Sequence, residues 1–439
     1  MYRILFPLLM PLLIVTGAAQ AQKADHLLPK PALLRLIDGN LRQAVNQYKI
    51  LMGHVPADRL PRSYSAGPAR LETSDAGWWT SGFYPGTLLY LYGFSHDTSL
   101  LREARDRLRL LEKEQYNKGT HDLGFMMYCS YGNVLKLIRE GALRGPATSF
   151  LSGSTAPYDS ILLNSARSLS TRFNARVGCI RSWDSQPWKY PVIIDNMMNL
   201  ELLLWATHDS GDSSFYRIAV THANTTLRNH FRPDYSSFHV VDYDTATGQV
   251  LAKKTAQGYA DSSAWARGQS WGLYGYTVMY RYTHDPKYLD QAEHIAQFIL
   301  NNPNLPADKV PYWDYNAPGV GATQPTQADP SNIGRSRDLS TRVLRDASAA
   351  AIMASALVEL SRYSAQGRGR QYLDAAEQII VTLSSGTYHA VVGANGGFLL
   401  LHSVGNLPGR SEIDMPLTYA DYYFVEAMLR YKQLAHPEE

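Results

Sequence analysis

Several things are scarce in these 439 residues. Charged side chains make up 18%, against about 25% in an ordinary globular protein, while the hydrophobic share is 45%. The chain is therefore neither a disordered polyelectrolyte nor a charged tail. Only Cys129 and Cys179 are present, too few for a disulfide scaffold. Cys129 falls in an apolar helical run, so the two read as separate buried thiols. Lys and Arg (42) nearly balance Asp and Glu (39), leaving a formal charge of +3. No basic block stands out, and nucleic acid is not an expected partner. Beyond the N-terminus no apolar run reaches the roughly 18 residues of a spanning helix, so no membrane insertion is expected. The His-Glu-x-x-His, Gly-x-x-x-x-Gly-Lys and Cys-x-x-Cys patterns are absent. That argues against zinc hydrolysis and nucleotide chemistry. No metal site and no cofactor is expected.

Aromatic residues, in contrast, are plentiful: 29 Tyr, 8 Trp and 12 Phe. Flat amphipathic rings suit a sugar cleft, although most of these Tyr read as helix packing. At the N-terminus Arg3 precedes an apolar run over 4–15, and Ala19-Gln20-Ala21 offers a small-x-small cleavage site. Residues 1–21 read as a signal peptide, with no Cys nearby to take a lipid anchor, and the product as periplasmic or secreted. No linker divides 22–439. A single core rarely exceeds about 250–300 residues, so one domain of this length calls for a large repeated architecture.

Helical periodicity supplies it. Amphipathic helices open on two bulky residues, two variable ones and Ala, as in Leu100–Ala104, Leu162–Ala166, Phe215–Ala219, Tyr288–Ala292 and Tyr372–Ala376. Between them lie helices apolar around most of their circumference, over about 80–95, 122–140, 195–211, 263–283, 346–363 and 416–434. With an opening helix at about 32–52, six amphipathic and six buried helices alternate. The fold class is all-α, an (α/α)6 toroid of six helical hairpins with inner and outer rings. One small β-hairpin is inserted, Phe238–Asp244 and Gln249–Ala252 around a Thr-Ala-Thr-Gly turn. The polar stretches 302–345 and 389–415 read as loops, and loops at a toroid's mouth carry function.

Acids, aromatics and His gather where the buried helices begin. Asp195 follows the apolar run Pro191–Ile194, and Asp122 lies in Thr120-His121-Asp122-Leu123-Gly124-Phe125. An acid delivered by an apolar lead-in is desolvated and holds its proton toward neutrality. Each, taken alone, also reads as a helix N-cap; two together favour a glycosidase-like pair. Around them stand Trp183, Trp188, His239 and Gln257. Arg267 and Trp271 share a helix face four residues apart, either as a cation beside a stacking platform for an anionic sugar or as plain cation–π packing. A half-exposed hairpin residue is an equal reading of His239.

These stretches also carry a resemblance. Trp79–Gly86, His121–Phe125, Ile193–Leu200, Asp261–Gln269 and Pro416–Phe424, in that order, resemble the unsaturated glucuronyl hydrolases of glycoside hydrolase family 88. The resemblance implies an (α/α)6 barrel that removes the 4,5-unsaturated uronic acid left by polysaccharide lyases at a non-reducing end. It implies Asp195 as general acid/base and Asp122 as the second acid. His121, His239, Gln257, Arg267 and Trp271 then line the uronate site. Trp79 and one of Trp183 or Trp188 serve as platforms. The unsaturated sugar is a vinyl ether: protonation at C4 and addition of water at C5 give a hemiketal that opens and expels the rest of the chain. The loop 402–412, with Arg410, would set the second subsite, and shows no clear sulfate-binding pattern. The alternatives are an unsaturated rhamnogalacturonyl hydrolase or an inverting glycosidase on the same fold, a lyase, or a non-catalytic exported glycan-binding protein.

Overall fold

The computed structural model describes residues 27–143, 158–320 and 343–435. The expected signal peptide lies outside the described residues. Among those described, twelve long helices alternate as the periodicity predicts. They are α1 (Pro31–Met52), α2 (Phe83–Ser95), α3 (Thr98–Leu111), α4 (a π-helical stretch Gly124–Gly132 continued by Asn133–Arg139), α5 (Tyr158–Ser170) and α6 (Asn196–Ser210). The second half has α7 (Ser213–Asn229), α8 (Ala266–Thr283), α9 (Pro286–Leu300), α10 (Ala347–Tyr363), α11 (Gln366–Leu383) and α12 (Thr418–Gln433). The even-numbered helices form the inner ring. Each packs on the next, and α12 returns to α2, which closes the toroid.

A repeated short turn sets the direction of the hairpins. Three inner helices end on a left-handed residue, His96, Gly211 or His284, followed at once by Asp97, Asp212 or Asp285. Each Asp has extended backbone, and its carboxylate accepts the N–H of the helix two residues on, as a good N-cap does. Such tight inner-to-outer turns lie at one end, the base. The connections leading into the inner helices are longer and crowd the opposite end, the mouth.

The mouth holds more β-structure than the single hairpin expected from sequence. Strands β1 (Leu60–Ser65) and β2 (Arg70–Ser74), β3 (Phe173–Asn174) and β4 (Cys179–Ile180), and β8 (Ser403–Asn406) and β9 (Ser411–Met415) form antiparallel pairs. The expected hairpin, β6 (Val240–Tyr243) and β7 (Val250–Lys254), gains a third strand, β5 (Pro191–Ile193). The additional strands are two to six residues long or broken by register shifts, too short or irregular to show a period of two. The π turns of α4 are likewise absent from the periodic reading. Cys129 and Cys179 are both free. Among the described residues no helix is long and apolar enough to cross a membrane.

Candidate active site

Residues at the starts of all six inner helices meet at the mouth. Asp195 is placed by strand pairing: Ile193 pairs with Val240, and Ile194 N–H donates to the His239 carbonyl at 3.0 Å. The next residue therefore stands beside His239, with Asp195 Oδ2 3.7 Å from His239 Nε2. Asp195 occupies the N-cap position of α6, yet its backbone is already helical (φ −56°, ψ −29°) and its side chain makes no cap bond. The carboxylate is free for other work. Burial pushes its pKa up to about 7, with Arg267 pulling down and Asp122 adding to the rise.

His239 has a fixed tautomer. Its Nδ1 accepts the backbone N–H groups of Ala256 and Gln257, at 3.0 and 3.1 Å, so the hydrogen sits on Nε2, facing Asp195. Burial, helped by Arg267 and His121, drives its pKa down to about 3, and the ring is a neutral donor. Gln257 thus acts through its backbone; no contact of its side chain assigns it to a sugar.

Asp122 lies just before the π turn. Gly124 allows the approach, because a Cβ there would fall 2.5 Å from Asn199 Cα. Asn199 then accepts the Phe125 N–H at 3.0 Å and donates to Asp122 Oδ1 at 3.3 Å. Asp122 also caps nothing, and burial pushes its pKa up to about 7. Two desolvated acids therefore open neighbouring inner helices.

Some expected ligands are placed differently. His121 stands behind Asp122, with Nδ1 on the Ser182 carbonyl and Nε2 3.2 Å from Asp122 Oδ1, so neither nitrogen is turned to a sugar. Arg267 and Trp271 do not pair. The Arg267 guanidinium lies over Trp265 and Tyr419, 4.5 and 5.4 Å from the ring centroids, and donates to the Val404 and Gly405 carbonyls of β8. It is 1% exposed and ties the β8–β9 hairpin to the site. Trp271 is fully buried against Phe125 and Tyr423 and offers no open platform. Its indole N–H, without a hydrogen-bond partner of its own, lies close enough to Asp195 to favour the carboxylate. Spacing on a helix gives the face but not the depth of a side chain.

Trp79 is half-buried beside Tyr419 and Phe125, a ring edge at the mouth. Trp183 packs edge-on to His239 at 6.0 Å, and Trp188 is tilted against Trp183 at 6.2 Å. Arg410 is exposed at the tip of the β8–β9 hairpin. Sequence reasoning missed Asn199, Trp265 and Tyr419. Asn199 had a signal, a polar amide next to the apolar run that opens its helix. For the two aromatics, membership in the quoted motifs was the only one.

Buried polar atoms without partners mark the centre: Asp195 Oδ2, His239 Nε2 and Trp271 Nε1. Such atoms are costly and persist where a ligand satisfies them.

No protein-family model matches the chain. It is 44% identical over 392 residues to an unsaturated glucuronyl hydrolase of Formosa agariphila, covering 89% of each chain. It is 30% identical to an unsaturated chondroitin disaccharide hydrolase of Streptococcus pneumoniae, over 80% of this chain and 81% of that one. A crystal structure of an unsaturated glucuronyl hydrolase specific for heparin superposes with a TM-score of 0.79 at 44% identity, covering 92% of this chain and 98% of the other. With the toroid, the two buried acids and these relatives in agreement, the chain belongs to the unsaturated glucuronyl hydrolases.

Proposed function

We propose that this enzyme removes a 4,5-unsaturated uronic acid from the non-reducing end of lyase-generated oligosaccharides, with Asp195 as the acid that protonates C4. The observation that carries the assignment is the uncapped, unpartnered Asp195 Oδ2, facing a neutral His239 with its pKa raised to about 7. A carboxyl poised there holds a proton to give and, once ionised, draws one from the water that adds at C5. No glycosyl-enzyme intermediate is needed. His239 Nε2–H and the Trp271 N–H stabilise the ionised form, Asp122 holds ring hydroxyls, and Trp79 and Trp183 border the sugar. Heparin-derived disaccharides are the favoured substrates, supported by the 44% identity to a heparin-specific structure against 30% to a chondroitin enzyme. Residues 1–21 direct export, leaving a periplasmic or secreted enzyme; N-terminal sequencing of exported protein tests this.

A panel of unsaturated disaccharides from heparin, chondroitin and hyaluronan, followed by loss of the C=C ultraviolet absorbance, tests the activity. Saturated counterparts should be inert. Turnover of saturated glycosides, or a gain of absorbance on intact polysaccharide, would replace the reading with an inverting glycosidase or a lyase.

A further inference from the structure

His121 is held in a way that fixes where a proton resides. A carbonyl can only accept, so the 2.8 Å contact between His121 Nδ1 and the Ser182 oxygen puts a hydrogen on Nδ1. That carbonyl is itself held by Arg172, whose Nη2 donates to it at 3.1 Å. The same guanidinium donates to the Arg181 and Lys118 carbonyls, both at 2.9 Å, and forks onto Asp184 at 3.0 and 3.2 Å. A neutral imidazole with its hydrogen on Nδ1 presents a lone pair at Nε2. That atom lies 3.2 Å from Asp122 Oδ1 and has no hydrogen-bonded partner among the described residues.

Two acceptors so close call for one proton between them. Either an imidazolium faces a carboxylate, or a carboxylic acid donates to a neutral imidazole. Charged and titratable groups around the pair are Arg172 after α5, Asp184 beside Trp183, Asp195 at the start of α6, His222 on α7 and His239 before β6. Arg172 opposes a second cation, and the 4% exposure of His121 leaves little water to solvate one. The Asn199 bond to Oδ1 is 3.3 Å, longer than the roughly 2.7–2.9 Å of a charge-assisted bond, as suits a neutral oxygen.

We infer that His121 is a positioning residue whose Nε2 accepts the Oδ1–H of a neutral Asp122, leaving Oδ2 for the sugar and Asp195 as the acid that exchanges its proton with substrate. The same placement follows from burial, which drives His121 down to about 3 and Asp122 up to about 7. The inference rests on the reading of Asp122 as the second acid, but the proton itself is observable without any substrate.

The test is nitrogen-15 NMR of the whole protein labelled at histidine, across neutral pH, with His121 assigned by the signal lost in His121→Asn or His121→Gln. A neutral ring protonated at Nδ1 throughout is the expected result; an imidazolium, or a hydrogen on Nε2, overturns the inference. Kinetics of His121→Asn give a second readout, because the amide keeps a donor for Ser182 and deletes Nε2. We expect kcat to fall about ten-fold with KM little changed. The alkaline limb of the pH–rate profile, which reports the two acids as a unit, should move to lower pH, because the neutral acid has lost its acceptor. A limb that moves up, as removal of a cation would cause, or one that stays in place, counts against it. Failure of the substrate reading would leave the NMR result standing.

Discussion

The two ends of the inner ring bury ionisable groups equally well and treat them in opposite ways. At the base Arg281 lies between Glu201 and Glu359, and Arg430 binds Glu359 and the Tyr274 hydroxyl. Glu426 collects hydroxyls from Tyr90, Tyr274 and Ser355. Burial opposes ionisation of Glu359, yet Arg281 and Arg430 outweigh it and hold the carboxyl down to about 2. Burial pushes Glu201 up, against the pull of Arg281 and Arg430. At the mouth Asp122 and Asp195 have no such counter-charge in hydrogen-bonding contact and rise to about 7. Partners, not depth, decide the charge. The base is a closed ionic plug and the mouth is left open for a ligand.

If that contrast is right, the largest effect comes from Asp195→Asn. Turnover of an unsaturated disaccharide should fall by about 10²–10⁴-fold with KM little altered. The same change should stabilise the fold. A carboxyl whose folded pKa is raised contributes stability below its unfolded value near 4, and that stability is lost as pH rises toward about 7. The neutral amide removes this loss, so melting temperature should rise by a few degrees above neutrality and change little in acid. An active variant, or one less stable at alkaline pH, would break the comparison at the mouth.

Arg281→Met attacks the other end. It leaves Glu201 unpaired and Glu359 with Arg430 alone, and loss of one partner from a buried ion pair costs about 3–5 kcal/mol. Denaturant unfolding should show that loss, while kcat of the folded fraction stays within about two-fold. A selective fall in kcat would mean that the plug also shapes the mouth.

Next in size is the paired test of Trp183→Ala and Trp188→Ala. Trp183 packs against His239, and Trp188 packs against Trp183. An aromatic contact is worth about 0.5–1.5 kcal/mol, so Trp183→Ala should lower kcat/KM by up to about ten-fold, mainly through KM. Trp188→Ala should cost less, through lost support. Equal losses would place both rings on the sugar.

The ring was legible in the sequence because its physics is local. Inner helices such as Ala347–Tyr363 are apolar on every side, and outer helices carry a polar stripe. The Asp caps repeat behind left-handed residues. The site was legible only as a set of residues near helix starts. Which side of Asp122 the His121 ring takes depends on the Ser182 carbonyl, 61 positions away in the chain. Whether Arg267 faces a ligand or β8 depends on a hairpin 137 positions on. Such long-range commitments leave no periodic trace, and neither do the short strands β3 and β4 or the π turns of α4.

Asp421 offers the finest cut. It too is fully buried on an inner helix, and burial pushes its pKa to about 7, as for the two mouth acids. Its oxygens, however, are all engaged: Oδ1 accepts the Leu400 N–H at 3.0 Å, and Oδ2 accepts the Leu399 N–H at 2.9 Å and the Tyr48 hydroxyl at 3.2 Å. It braces the chain before β8 and leaves nothing for a substrate. Asp421→Asn should therefore keep kcat within about two-fold. Its amide sets a donor against a backbone N–H, so stability should drop by about 1–3 kcal/mol, opposite in sign to the Asp195 variant. If instead its activity fell as far as that of Asp195→Asn, a raised pKa alone would mark the catalytic acids here. With activity kept, the unpartnered oxygen of Asp195 is what separates a working acid from a structural one.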